Sequence, residues 1–184
     1  DRESVVPENL ADGTKAYYTG GYFTQEVNGV YDDQGVNAVA MNDNSGRGTV
    51  IIASVDGVGV TNADIRSIRA EAERKLSEMG ITSDIVAVNI NSTHAHTVID
   101  TQGFGLKNLL LGIVKNIAAR FTPFVEAGRS IDEEFLGYLI DGASDAVVEA
   151  YLNMESGDLY YFESAGIGYS ERNQNYLDDE YGYI

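Results

Sequence analysis

Apolar residues run almost without interruption from Thr49 to Val55 and again from Asp84 to Ile90, and between these runs they recur at helical spacing. Ile65, Ile68, Ala72, Leu76 and Met79 fall three or four residues apart, which lays one apolar stripe along a helix over residues 62–79. Asn62 is placed to cap that helix, Glu71 and Lys75 to pair on its wet face, and Gly80 to end it. Continuous apolar runs are what strands covered on both faces carry. A strand–helix–strand succession of this length is a βαβ unit, whose crossover is right-handed. The two strands are therefore expected to be adjacent and parallel.

The pattern elsewhere is shorter in range. Val36 to Met41 reads as a strand, and Asn42-Asp43-Asn44-Ser45-Gly46 is a loop of turn formers, so this strand and Thr49–Val55 form an antiparallel hairpin. Residues 1–14 are polar and read as an irregular lead-in. Lys15 to Val27 is rich in aromatic and β-branched residues and reads as extended chain broken at Gly20-Gly21. Leu106 to Phe121 repeats apolar residues at Leu109, Leu110, Ile113, Val114 and Ile117, as an amphipathic helix does. Ser130-Ile131-Asp132-Glu133 is a capping box that opens a helix running to about Asn153. Leu159 to Phe162 reads as a further strand, and the tyrosine-studded tail from Ser170 has no period. The fold class expected is α/β, a layered sheet with a parallel βαβ unit, an N-terminal β-hairpin and flanking helices.

Composition narrows the functions. The 184 residues include 29 acidic against 12 basic side chains, a formal charge of −17. No basic stripe exists to neutralise phosphates, so nucleic acid is excluded as the expected partner. No apolar run approaches the roughly 18–20 residues of a membrane span, so no transmembrane segment is expected. Cysteine is absent, which rules out disulfides, thiolate catalysis and Cys-ligated zinc. The first residue is Asp and no charged-then-apolar leader follows, so the chain is read as processed or as cut from something longer.

Both histidines of the chain lie in Ser92-Thr93-His94-Ala95-His96-Thr97. In an extended segment, residues two apart point to the same side, so His94 and His96 can offer both imidazoles to one cation, zinc or another divalent transition metal. They follow the second parallel strand, at the sheet end where open α/β sheets form their ligand crevices. Asp56 follows the first strand, so a carboxylate and two imidazoles are expected at one sheet edge. A catalytic zinc takes three protein ligands and one open position. A third ligand must then be Asp, Glu, Tyr or water, or lie outside this chain. Asn91-Ser92-Thr93 matches a glycosylation acceptor but abuts the histidines and is read without a glycan. No GxGxxG, P-loop or G-x-S-x-G elbow occurs. The acidic runs Asp132-Glu133-Glu134 and Asp178-Asp179-Glu180 read as a helix first turn and a solvated tail.

In their order, a hairpin, an apolar strand ending in Asp, a helix, an apolar strand and Thr-His-x-His, these elements resemble the N-terminal domain of the neutral/alkaline non-lysosomal ceramidases. Gly29-Val30-Tyr31-Asp32 resembles the glycine-led segment before that family's first strand, Ser54-Val55-Asp56 its strand end, and Thr93-His94-Ala95-His96-Thr97 its Thr-His-Thr-His-Ser zinc motif. The similarity covers residues 28–120 and continues loosely through 130–153 to Glu171-Arg172-Asn173. The chain departs from the family at Thr97-Val98-Ile99-Asp100, where Ser-Gly-Pro is usual after the second histidine, and at Tyr31, where a histidine is common. The resemblance implies one domain over residues 1–184, the N-terminal portion of a longer ceramidase-like protein. It implies zinc on His94 and His96, with Asp56 and Thr93 supporting them. It also implies zinc-assisted hydrolysis of the N-acyl amide of a sphingolipid or related lipid amide, the family's remaining ligands and catalytic serine lying further along a longer chain. On that reading this chain alone binds zinc weakly and is inactive, and its location is extracellular or at the cell surface. The alternative is a non-catalytic binding or surface module that keeps the fold and not the active site.

Overall fold

The computed structural model describes residues 1–21, 24–103, 112–114, 117–118, 121, 131–161 and 163. Among them four strands, β1 (Arg2–Ser4), β2 (Gly35–Met41), β3 (Thr49–Val55) and β4 (Ile85–Ser92), form a sheet in that spatial order. β1 pairs antiparallel with β2, and β2 with β3, whereas β3 and β4 run parallel, with Ile51 opposite Val88 and Val55 opposite Ser92. The short α1 (Glu8–Ala11) follows β1, α2 (Asn62–Glu78) joins β3 to β4, and α3 (Glu133–Leu152) packs against β2 and α2. The fold is α/β, with the hairpin and the parallel βαβ unit in the expected places.

One hydrophobic layer holds it together. Ile68, Ala72 and Leu76 of α2 and Phe135, Leu139, Ala143 and Val147 of α3 meet Val36, Ala38, Ile51, Ala53 and Val55 in a single buried cluster. The opposite face differs from the expectation that β3 is covered on both sides. The cross-strand partners Val39 and Ile52 are 59% and 45% exposed, so among the described residues the helices cover one face only.

Helix ends depart from the sequence reading in instructive ways. Thr61, not Asn62, caps α2: its hydroxyl accepts from Asp64 N–H while the Asp64 carboxylate accepts the Thr61 N–H, satisfying two end donors reciprocally. Glu71 bonds Arg74, one residue before the expected Lys75. Lys75 instead turns to Asp141 and Asp145 of α3, at 2.6 and 2.7 Å, tying the two helices together. The cap of α3 is Asp132, whose side chain accepts from Phe135 N–H; Ser130 lies outside the described residues. The lead-in is ordered, because β1 uses its backbone to pair with Val36 and its neighbours, and a three-residue strand has no period to read.

Residues 15–21 pair back on residues 24–27, with Tyr18 bridged to Glu26 and Val27 N–H donating to Tyr17 O at 2.9 Å. Tyr17 anchors this turn: its ring packs edge-on to Phe135 at 6.4 Å and its hydroxyl donates to Asn9. The expected strand at Leu159–Phe162 is irregular over 159–161, where the three side chains are 85–91% exposed and have no strand to pair with among the described residues. Phe162, the tail from Ser170 and Glu171-Arg172-Asn173 lie outside the described residues. So does most of the helix expected over 106–121, of which 112–114, 117–118 and 121 are described and are helical. Among the described residues no helix is long and apolar enough to cross a membrane.

Candidate metal centre

The candidate site is built where three pieces of chain meet at the C-terminal ends of β3 and β4. One is the loop 56–60 after β3, one is the loop 93–103 after β4, and the third is the stretch Tyr18–Gly21. Thr93 N–H donates to Val55 O, prolonging the parallel ladder by one bond before the chain leaves it. The second loop then pairs with the third piece: Thr19 bridges Ile99, Gly20 N–H donates to Val98 O and Asp100 N–H to Tyr18 O. Thr101 Oγ1 donates to Gly59 O at 2.7 Å, closing the first loop on the second.

A buried glutamine locks the junction. Gln34, 1% exposed, donates from Nε2 to Asp56 O and Ile99 O and accepts the Ile99 N–H at Oε1. Its side chain thus ties the loop after β3 to the loop after β4, beside the backbone bond from Asp56 N–H to Gly35 O.

The two histidines face one another within this frame. His94 Nδ1 lies 2.7 Å from Val58 O and His96 Nδ1 lies 3.2 Å from Gly20 O. A carbonyl oxygen can only accept, so both Nδ1 atoms carry the proton, and in the neutral rings the Nε2 atoms are the acceptors. Those two Nε2 atoms are 3.4 Å apart. Two nitrogens bound to one zinc ion at tetrahedral geometry lie about 3.3–3.4 Å apart. The pair therefore fits two adjacent corners of a tetrahedral ion, with each ring steadied by a carbonyl at its far nitrogen, as ligating histidines commonly are. The convergence has a different origin from the one expected. His94 is not extended: its φ of 62° is left-handed, a conformation His tolerates better than most side chains, and this turn brings its ring to face His96.

Asp56 and Thr93 are held by other bonds. The Asp56 carboxylate accepts the Gly35 N–H at 3.2 Å and faces Arg2 at 3.5 Å, so it ties the end of β3 to β1 and β2. Thr93 contributes its backbone to the ladder, and neither side chain bonds an imidazole. Val58 O and Gly20 O steady the rings instead. Among the described residues no three His, Cys, Asp or Glu side chains come together, so the expected carboxylate at the imidazoles is not found.

The sequence reading missed Gln34, the two carbonyls and the glycines that admit them. A side chain at Gly21 would place Cβ 2.3 Å from His96 Nδ1, and one at Gly57 would sit 2.7 Å from Thr101 Cγ2. The legible signal was the glycine doublet 20–21 and the alternation Gly57-Val58-Gly59, which mark close approach of backbone as well as turns. No protein-family model, curated protein or solved structure matches the chain.

Proposed function

We propose that the protein binds a divalent transition-metal ion, zinc foremost, through Nε2 of His94 and His96. We propose further that it is the metal-binding portion of a ceramidase-like hydrolase of lipid amides. The observation that carries the metal reading is the pair of Nε2 acceptors 3.4 Å apart, each ring held at Nδ1 by a backbone carbonyl. Two neutral imidazoles select zinc, cobalt or nickel over magnesium and calcium, which take oxygen ligands. The net charge of −17 draws cations toward the surface. The amide-hydrolase part rests on the resemblance carried by Thr93-His94-Ala95-His96-Thr97 and Ser54-Val55-Asp56 and on the position of the histidines at the end of a parallel strand pair.

Zinc bound there would polarise an amide carbonyl and make a hydroxide nucleophile of its water. The protein's own part is to hold the two rings, through Val58 O and Gly20 O, in a fixed tautomer. Two ligands leave coordination incomplete, so binding is weak and the described residues alone do not support turnover. Dialysis against zinc, cobalt, nickel, magnesium and calcium, followed by elemental analysis, tests the metal. With the metal kept in the dialysate at equilibrium, an excess of one transition-metal ion per chain on the protein side supports the reading, and no excess as the metal concentration is raised removes it. Release of fatty acid from a fluorescent ceramide in detergent with zinc tests the chemistry. No turnover is expected; turnover that disappears in the His94→Ala/His96→Ala variant would show that two imidazoles suffice and that further ligands are not needed.

A further inference from the structure

We infer that Gly21 is a positioning residue: the absence of a side chain there fixes the ring of His96, and with it the placement of its Nε2 opposite His94. The inference rests on the metal reading for its consequence, but its geometry stands separately. The turn of chain at Gly20–Gly21 does two things to the same imidazole. The Gly20 carbonyl accepts a hydrogen bond from His96 Nδ1–H at 3.2 Å, and the bare Cα of Gly21 leaves the room that the ring occupies.

The room is not spare. A Cβ built on Gly21 would lie 2.3 Å from Nδ1, 3.2 Å from Cε1 and 3.3 Å from Cγ of His96, so any side chain collides with the ring along one edge. The ring cannot retreat without giving up the Gly20 bond, and the backbone cannot retreat easily either. Gly20 is pinned by its own N–H on Val98 O, and a Cβ there would meet Val58 Cγ2 at 2.7 Å and Asp100 Oδ1 at 3.2 Å. Val58 is also the residue whose carbonyl holds His94. The glycine pair, Val58 and the two histidines therefore form one packed unit, in which moving the 20–21 turn moves both rings. Gly21 also adopts φ +133°, a conformation that side-chain-bearing residues rarely enter, so the position is closed to other residues twice over.

The consequence reaches chemistry through the tautomer. With Gly20 O at Nδ1, His96 presents Nε2 as an acceptor; with that bond lost, the proton is free to move to Nε2 and the lone pair available to a metal is lost. Gly21→Ala is the test, with Gly13→Ala as its control, because Gly13 also has positive φ (+68°) but open space where its Cβ would go. Imidazole nitrogen chemical shifts of the metal-free full chain, assigned with single histidine variants, report the tautomer, and zinc titration reports affinity. Expected are the Nδ1–H form for His96 in wild type and Gly13→Ala, a mixture of forms in Gly21→Ala, and zinc binding weaker by about 10- to 100-fold in Gly21→Ala alone. An unchanged His96 tautomer in Gly21→Ala overturns the inference, whether or not zinc binds. Absence of zinc binding by wild type with the tautomer change intact would instead strike the metal reading and leave the positioning role. If Gly21→Ala does not fold, the His96 tautomer of wild type decides: the Nδ1–H form supports the inference, and the Nε2–H form, which cannot donate to Gly20 O, overturns it.

Discussion

His94 and His96 meet edge to face, their ring planes at 88° and their centroids 4.9 Å apart. Two residues separated by one alanine adopt this arrangement only because His94 turns left-handed and because two distant loops offer a carbonyl to each ring. The backbone, through Val58 O and Gly20 O, holds both rings in this arrangement.

Gln34 is the part of that frame most sensitive to substitution. Replacing it with Leu leaves the Ile99 N–H and the Asp56 and Ile99 carbonyls without their buried partner. The expected loss is about 3 kcal/mol, since each buried polar group left unsatisfied costs about 1–3 kcal/mol and some relaxation follows. Urea denaturation of the two proteins measures it; a difference below about 1 kcal/mol would mean the junction is held by other bonds.

Phe135 lies at the first turn of α3, fully buried, with Tyr17 against its edge. Phe135→Ala is expected to cost about 3–5 kcal/mol through lost burial and the cavity left behind. Because Tyr17 carries the turn that ends in Gly20-Gly21, zinc affinity should fall with it, whereas a Leu139→Ala change of comparable severity should leave zinc affinity of the folded fraction intact. Equal effects of the two on affinity would contradict a mechanical link through Tyr17.

The acid limb of stability should carry the mark of Asp132. Burial pushes its carboxyl up, but the Lys15 ammonium and the Phe135 N–H pull harder, and the net is below the usual 3.8. A group with a depressed folded value gives stability that is complete above its unfolded value and is lost as pH falls through the folded one. For Lys15 burial pulls the other way from its two carboxylates, Asp132 and Glu134, which win and raise it above its usual 10.5; its contribution is present below that value and is lost as pH rises through the raised one. Asp132→Asn keeps a capping oxygen and removes the charge. Its melting temperature is expected to fall less steeply than that of wild type below about pH 4, and parallel curves would contradict the assignment.

The βαβ unit was legible because its signals are periodic and local: the apolar stripe from Ile68 to Leu76 and the runs around Ile51 and Val88 leave few alternatives. β1 was not legible, since Arg2–Ser4 acquire strand conformation only by bonding to β2 some thirty residues away. For the site, the spacing of His94 and His96 and their place after β4 could be read, but the partners of their Nδ1 atoms could not. Val58 O and Gly20 O are backbone atoms, the same at every residue, and only the fold brings them to the rings. Asp56 was read by position alone; nothing in the sequence said that the Gly35 N–H and Arg2 would claim its carboxylate.

Isothermal calorimetry of zinc against the metal-free chain, compared with His94→Ala/His96→Ala, tests the central claim most directly. The account predicts a saturable heat for one zinc per chain in wild type, of modest affinity, and no such heat in the double variant. Equal heats from the two proteins would contradict it, because zinc would then be binding somewhere other than the facing Nε2 atoms of His94 and His96.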